Sequence, residues 1–277
     1  MPISQTIEPE QSSVAGLPIR RILPARNRLM VGPFIFMDQG GPITISGGPG
    51  GGVPEHPHAG LSTFTYLIEG SVQHRDSAGN EAVVRSGDVA LMTSGSGITH
   101  EELPVPGAPS GPRSLFFAQM WLALPDHLEE MDPAFEHHAK ATLPVLSRPG
   151  ATVRMAMGSF DGVTAPTTCH VPALFAEIRL EAGATLAVPA AYDEQALMLL
   201  EGDAEVDAQA LTSHQLNVLT RTETTVRSTR GAHLLLIGGA RFPTRRYIGG
   251  SFVASSPQKL RRWMQDAAYG RWPRIAR

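Results

Sequence analysis

The sequence predicts an all-β protein, built as two β-barrels in tandem with one short helix near the C-terminus. Three observations predict it. The 277 residues include 28 glycines and 23 prolines, and these fall between short apolar and β-branched runs, as in chains made of many brief strands joined by tight turns. The length exceeds the ~100–200 residues usual for one domain. A piece of the first half, Leu67-Ile68-Glu69-Gly70, returns as Leu199-Leu200-Glu201-Gly202. The expected division is 1–135 and 136–277.

Composition narrows the function. Hydrophobic residues make up 42% of the chain and charged ones 18%, with a net charge of −3. That balance describes a soluble globular protein and argues against an electrostatic grip on nucleic acid. No apolar run approaches the ~18 residues of a membrane-spanning helix. The N-terminal segment carries Glu8 and Glu10 and lacks the apolar centre of a signal peptide. Cys169 is the single cysteine, so an internal disulfide is excluded and a reducing compartment fits. The expectation is a cytoplasmic monomer, its two barrels forming an internal pair.

Taken in order, residues 1–15 are polar and without period, a loose tail or an edge strand. Arg20 to Arg28 holds four arginines and reads as a solvated surface strand rather than an anion site. Val31 to Asp38 is a strand, and Asp38-Gln39-Gly40-Gly41-Pro42 a turn. Gly47 to Gly52 is no phosphate loop, because no lysine, Ser/Thr pair or helix follows; it reads as a flexible approach to the barrel mouth. Strands follow at Leu61–Glu69, Ser71–Arg75, Glu81–Arg85 and Val89–Thr93, with a hairpin turn at Asp76–Asn80. Ser114 to Leu124 places Phe117, Gln119 and Trp121 on one face. Residues 125–150 form a loop-rich bridge whose histidines, His127, His137 and His138, belong to the surface. Phe175 to Pro189 gives two strands around Ala182-Gly183. Ser256-Pro257 opens a helix with Leu260, Trp263, Met264 and Ala267 on its buried stripe, and 271–277 is a basic tail.

Within this frame two segments carry chemistry. His56 and His58 are spaced i, i+2, and so are His100 and Glu102. Strand side chains alternate faces, so each pair points to one side, and two such pairs on neighbouring strands converge. Three imidazoles and a carboxylate suit one divalent first-row metal: iron, manganese, nickel, copper or zinc. Glu101, adjacent to Glu102, faces the other way and serves as the control. Carrying His56 and His58 forward by the repeat lands on Val188 and Ala190, and the second pair falls near Ser228. No ligands survive in the copy. His170, His214 and His233 are scattered and read as structural, and Cys169 and His170, as strand neighbours, face apart and form no catalytic pair.

These residues resemble the pirin family, two-barrel members of the cupin superfamily. The likeness runs through Val31–Asp38, His56-Pro57-His58-Ala59-Gly60, Thr65–Gly70, His74–Ser77, Gly87-Asp88 and Met92–Glu102. It implies two cupin-type barrels (double-stranded β-helices), a metal only in the first, and His56, His58, His100 and Glu102 as its ligands. The sequence departs from cupins at Ser62 and Thr63, where a glutamate is usual, so Glu102 must supply the carboxylate; Tyr247 to Ser256 follows the family's C-terminal block only loosely. The resemblance further implies Fe(II) as the leading metal and quercetin 2,3-dioxygenase-type chemistry, with O2 and a small aromatic, flavonol-like substrate. In that scheme Glu102 is also the catalytic base, and Phe34, Gln119 and Trp121 line the pocket. The competing implication is an iron- or redox-sensing protein that binds a transcription regulator or metabolic enzyme without turnover.

Overall fold

The computed structural model describes residues 1–45, 52–107 and 111–276; the Gly-rich approach expected at 47–52 lies outside them except for Gly52. Its strands form two compact units that are not contiguous in sequence. One contains Met1–Glu10, Ile22–Phe34 and Ala141–Phe242; the other contains Gln11–Arg21, Ile35–Lys140 and Pro243–Arg277. The change of unit at Lys140 falls five residues beyond the expected division.

The unit built on Ile35–Lys140 has a seven-stranded sheet. Its order is Ala134–His138, Val89–Thr93, Leu61–Glu69, Arg113–Ala123, Phe34–Ile45, Leu17–Leu23 and Glu10–Val14. A four-stranded sheet runs Val53–His58, Ile98–Leu103, Ser71–Asp76, Glu81–Arg85. Leu67, Ala90 and Leu115 from the larger sheet share one buried cluster with Val84 from the smaller. The two sheets therefore pack face to face, as alternation along each strand requires.

The other unit repeats the plan. Leu216–Leu219, Glu194–Gly202, Ala232–Gly239 and Ala173–Leu180 occupy successive places in its seven-stranded sheet. Thr185–Val188, Thr224–Arg227, Glu205–Val206 and Gln209–Ala210 form its smaller one. Glu194–Gly202, with the recurrent Glu-Gly ending, thus stands third from its sheet edge, as Leu61–Glu69 does. Leu186, Val188, Val206 and Val226 pack into one core with Leu197, Leu199, Leu234 and Leu236. The interior of the copy is filled with apolar side chains.

The first residues take the edge-strand alternative, Ile3–Ile7 pairing with Leu216–Leu219. Several expectations change. Asp38 to Pro42 does not turn the chain, because Phe34–Ile45 is one twelve-residue strand. Its glycines serve close approach instead: a Cβ on Gly40 would stand 2.1 Å from the Phe117 ring. The bridge at 125–150 contains Ala134–His138, which pairs with Val89–Thr93. Two of the four arginines of 20–28 form internal ion pairs, Arg21 with Asp38 and Arg28 with Glu194, while Arg26 is exposed. Val188 lies opposite Thr224, so the counterpart of His100 is Thr224, four residues before Ser228.

The C-terminal segment returns to the first sheet pair. Ser256 caps the helix Pro257–Ala268 through a 3.2 Å hydrogen bond from the Lys259 N–H, with Pro257 at the first position, where a missing N–H costs nothing. Trp263 is buried among Ala59, Phe252 and Ala254, and Leu260 and Ala267 pack beside it, while Met264 from the predicted stripe is exposed at 43%. Among the described residues no helix is long and apolar enough to cross a membrane.

Candidate metal centre

Val53–His58 is an edge strand, and its prolines suit that place because they have no N–H to give a ladder. It pairs antiparallel with Ile98–Leu103, setting His56 opposite His100 and His58 opposite Ile98. Between His100 and Glu102 the register slips by one, so Glu102 faces Val53. The extra residue is a bulge on the proline strand, the kind of kink that re-aims side chains at barrel rims.

The outcome is a tight group. Ligand-competent nitrogens of His56, His58 and His100 all lie within 4.8 Å of one another. Ring centroids are 4.4 Å apart for His56 and His100, 4.8 Å for His56 and His58, and 5.0 Å for His58 and His100. Two of the rings are oriented from behind by backbone carbonyls. His56 Nδ1 lies 2.8 Å from the Pro54 carbonyl and His58 Nδ1 lies 2.9 Å from the Ser251 carbonyl. A carbonyl only accepts, so each Nδ1 carries a proton and Nε2 is the nitrogen that each of these rings can offer a metal.

Burial holds His58 and His100 well below the usual imidazole value, and the neighbouring histidines push the same way. Both are therefore neutral at pH 7, the state in which imidazole binds metal. Imidazole nitrogens gathered this closely suit a borderline divalent transition metal.

Behind His100 stands a further pair. His74 Nδ1 is 3.5 Å from His100 Nδ1, and His74 Nε2 is 3.2 Å from Asp76 Oδ2. All three are buried. Asp76 also receives the N–H groups of Ala78 and Asn80 and the Asn80 amide. Burial would raise its carboxyl, but the hydrogen bonds from His74 and Asn80 outweigh this and hold it below the ordinary value.

The imidazoles open on a cavity of about 280 Å³. Phe36 and Trp121 form one wall, stacked at 4.0 Å and 13°, with the edge of His58 against Trp121 at 5.1 Å. Arg21 lies over the Phe36 ring and pairs bidentately with Asp38, at 3.0 and 2.8 Å. Burial pushes the Asp38 carboxyl up, against the opposing pull of Arg21. Glu102 and Gln119 line the cavity too, linked through Thr65, whose hydroxyl lies 3.1 Å from Glu102 Oε1 and 2.7 Å from Gln119 Oε1.

Of the four expected ligands, the fold gathers the three histidines and sets Glu102 on the same cavity wall, outside the close trio. Glu101 turns away to pair with Arg75 at 3.3 Å. Gln119 and Trp121 line the cavity, whereas Phe34 is wholly buried and Phe36 takes the place expected for it. Sequence reasoning passed over His74 and Asp76 as partners of His100. Their own i, i+2 spacing was the available signal, masked because the strand was expected to end at Arg75 and Asp76 to open the turn, whereas the strand runs Ser71–Asp76. Ser251 had none, lying almost two hundred residues from His58.

The family model for pirin matches residues 16–122, and that for the pirin C-terminal cupin domain matches 175–273. A "Pirin-like protein" of Caulobacter vibrioides is 36% identical over 273 residues, covering 97% of this chain and 94% of its own length. The chain belongs to the pirin family. Among solved pirin-like structures, one titled quercetin 2,3-dioxygenase from Acinetobacter baumannii has a TM-score of 0.90 at 33% identity, covering 98% of this chain and 91% of that one. A bacterial pirin from Escherichia coli, solved in complex with nickel(II), has a TM-score of 0.67 and covers 86% of this chain and 99% of that one. At 16% identity that second likeness is one of fold. The pirin assignment accords with a cupin pair in which the histidine trio lies in the first cupin and an apolar core fills the second.

Proposed function

We propose that this pirin-family protein is a metal-dependent dioxygenase of the quercetin 2,3-dioxygenase type. His56, His58 and His100, with Glu102, hold one divalent transition metal, iron(II) foremost. The observation that carries the reading is a three-imidazole cluster opening on a cavity walled by stacked aromatic rings. The likeness to a solved structure titled quercetin 2,3-dioxygenase supports the same substrate class.

When bound, the metal supplies Lewis acidity and one-electron chemistry with dioxygen. The chain does the rest. The Phe36–Trp121 wall stacks against a flat aromatic substrate and excludes water from its reacting edge. Glu102 takes the acidic proton of an enol onto a carboxylate oxygen. The Thr65 hydroxyl has one proton to give and two acceptors within reach, Gln119 Oε1 at 2.7 Å and Glu102 Oε1 at 3.1 Å, so it holds one of them at a time beside the cavity.

The test begins with elemental analysis of the purified protein, followed by aerobic incubation with quercetin while flavonol absorbance and oxygen uptake are recorded. Loss of both in step, dependent on metal and abolished by His58→Ala, is expected. Metal-loaded protein that leaves quercetin and oxygen untouched, yet captures a partner only in one oxidation state, overturns the enzyme reading in favour of the redox sensor.

A further inference from the structure

We infer that His74, backed by Asp76, is a positioning residue for the metal centre: it fixes the ring orientation and tautomer of His100 and thereby sets metal affinity. The inference rests on the reading that the three imidazoles hold a divalent metal, and is independent of any turnover.

The three rings of the cluster are held in different ways. His56 and His58 each have a backbone carbonyl behind Nδ1, at 2.8 and 2.9 Å. Behind His100 the group at Nδ1 is the His74 ring, at 3.5 Å. A ring nitrogen can accept or donate, so by itself it leaves the His100 tautomer open. Asp76 closes that choice. Its Oδ2 stands 3.2 Å from His74 Nε2 and, as a carboxylate, only accepts. With Nε2 given to Asp76, a singly protonated His74 accepts at Nδ1, so that His100 donates from Nδ1 and keeps its Nε2, 3.1 Å from His56 Nε2, for the metal.

Geometry supports a built arrangement. Residues 74 and 76 share a face of Ser71–Asp76, and the ladder sets Asp76 opposite His100 and His74 opposite Glu102. Phe135 stacks on the His74 ring at 4.3 Å and 11°, restraining its plane. The other oxygen of Asp76 receives the N–H groups of Ala78 and Asn80, so the turn that follows holds the carboxylate in place. With His74, Asp76 and His100 each at most 3% exposed, no water replaces a lost partner without cost.

The experiment measures nickel(II) affinity by chelator competition on the full chain, with the Cu(II) EPR spectrum as a second readout. His74→Phe keeps the stack on Phe135 and removes the acceptor; a 10–100-fold loss of affinity is expected, the usual effect of removing such an outer partner, with a changed copper hyperfine splitting. His74→Asn puts an amide oxygen near the place of Nδ1 and is expected to recover more than half of that loss on a logarithmic scale. Metal-free melting curves report whether each variant is folded. Wild-type protein that binds neither ion, or binds them undiminished in His56→Ala, overturns the metal reading and this inference with it. Wild-type binding with unchanged affinity and EPR spectrum in folded His74→Phe overturns the positioning role alone. If His74→Phe does not fold, His74→Asn and Asp76→Asn decide: the first near wild type and the second weakened upholds the role, and equal losses in both overturn it.

Discussion

His56 and His100 stand directly opposite one another on adjacent antiparallel strands, with their Nε2 atoms 3.1 Å apart. A cross-strand pair at this distance makes one strand ladder the scaffold of the cluster. The register slip just beyond it then decides how Glu102 meets the same cavity.

The first prediction separates the two adjacent glutamates. By elemental analysis, His56→Ala and His100→Ala are expected to bring bound metal close to nothing, and Glu102→Ala to weaken its retention. Glu101→Ala, which breaks only the ion pair with Arg75, is expected to keep it. Metal lost from Glu101→Ala and kept in Glu102→Ala would reverse the assignment of faces.

A second concerns acid stability of the metal-free protein. His58 and His100 resist protonation because they are buried, while in the unfolded chain both take up protons near the ordinary value of ~6.5. Above that pH the two states bind the same number of protons at these sites, and stability does not depend on them. As pH falls below ~6.5 the unfolded chain binds more, so stability declines by up to ~1.4 kcal/mol per pH unit for each group, until the folded-state value is reached. Urea midpoints measured between neutrality and mild acid are expected to show the fall, with a shallower slope in His100→Asn. Equal slopes in the two proteins would rule out this origin.

Gly60 is expected to tolerate no side chain. Its φ is +73°, and an added Cβ would stand 2.0 Å from the Val253 carbonyl and 2.8 Å from the Trp263 ring. Gly60→Ala therefore combines left-handed strain of about 1–3 kcal/mol with displacement of the strand that brings Ser251 to His58. Equilibrium denaturation should show the loss, and metal retention should drop with it. Wild-type values for both would contradict the contact.

Glu129 anchors the C-terminal segment. Its wholly buried carboxylate accepts from Lys259 at 2.7 Å and from Ser255 at 2.9 Å, and Arg246 Nε lies 4.0 Å away. Removing one partner of a buried ion cluster leaves the others uncompensated, typically at about 3–5 kcal/mol. Glu129→Ala is expected to cost that much in denaturant titration, with earlier proteolysis after residue 243. A change under about 1 kcal/mol, the scale of an exposed pair, would show that the anchor lies elsewhere.

Much of this was legible in the one-dimensional pattern. Short apolar and β-branched runs bounded by turn residues marked Leu61–Glu69 and Val89–Thr93 as strands, and the Ser-Pro opening with its spaced apolar residues marked the helix at 257–268. Glycine was ambiguous. Gly40 and Gly41 read as a turn, yet they lie within a strand because Phe117 and the Leu115 carbonyl need the space. Residues 1–15 read equally as a loose tail or an edge strand, and pattern alone did not choose, because the partner strand of Ile3–Ile7 begins more than two hundred positions away.

The sequence by itself determined which side chains share a face: alternation is a local property of extended backbone, so His56 with His58, His100 with Glu102, and the apolar Val188 of the copy could all be placed from spacing alone. Only the tertiary structure decided which faces meet and what stands behind them. The Ser251 carbonyl reaches His58, the His74–Asp76 pair reaches His100, and the chain's ends pack into units that a linear cut would not give them. Those contacts join residues with no local relationship, and their free energy exists only once distant strands have closed around a common core.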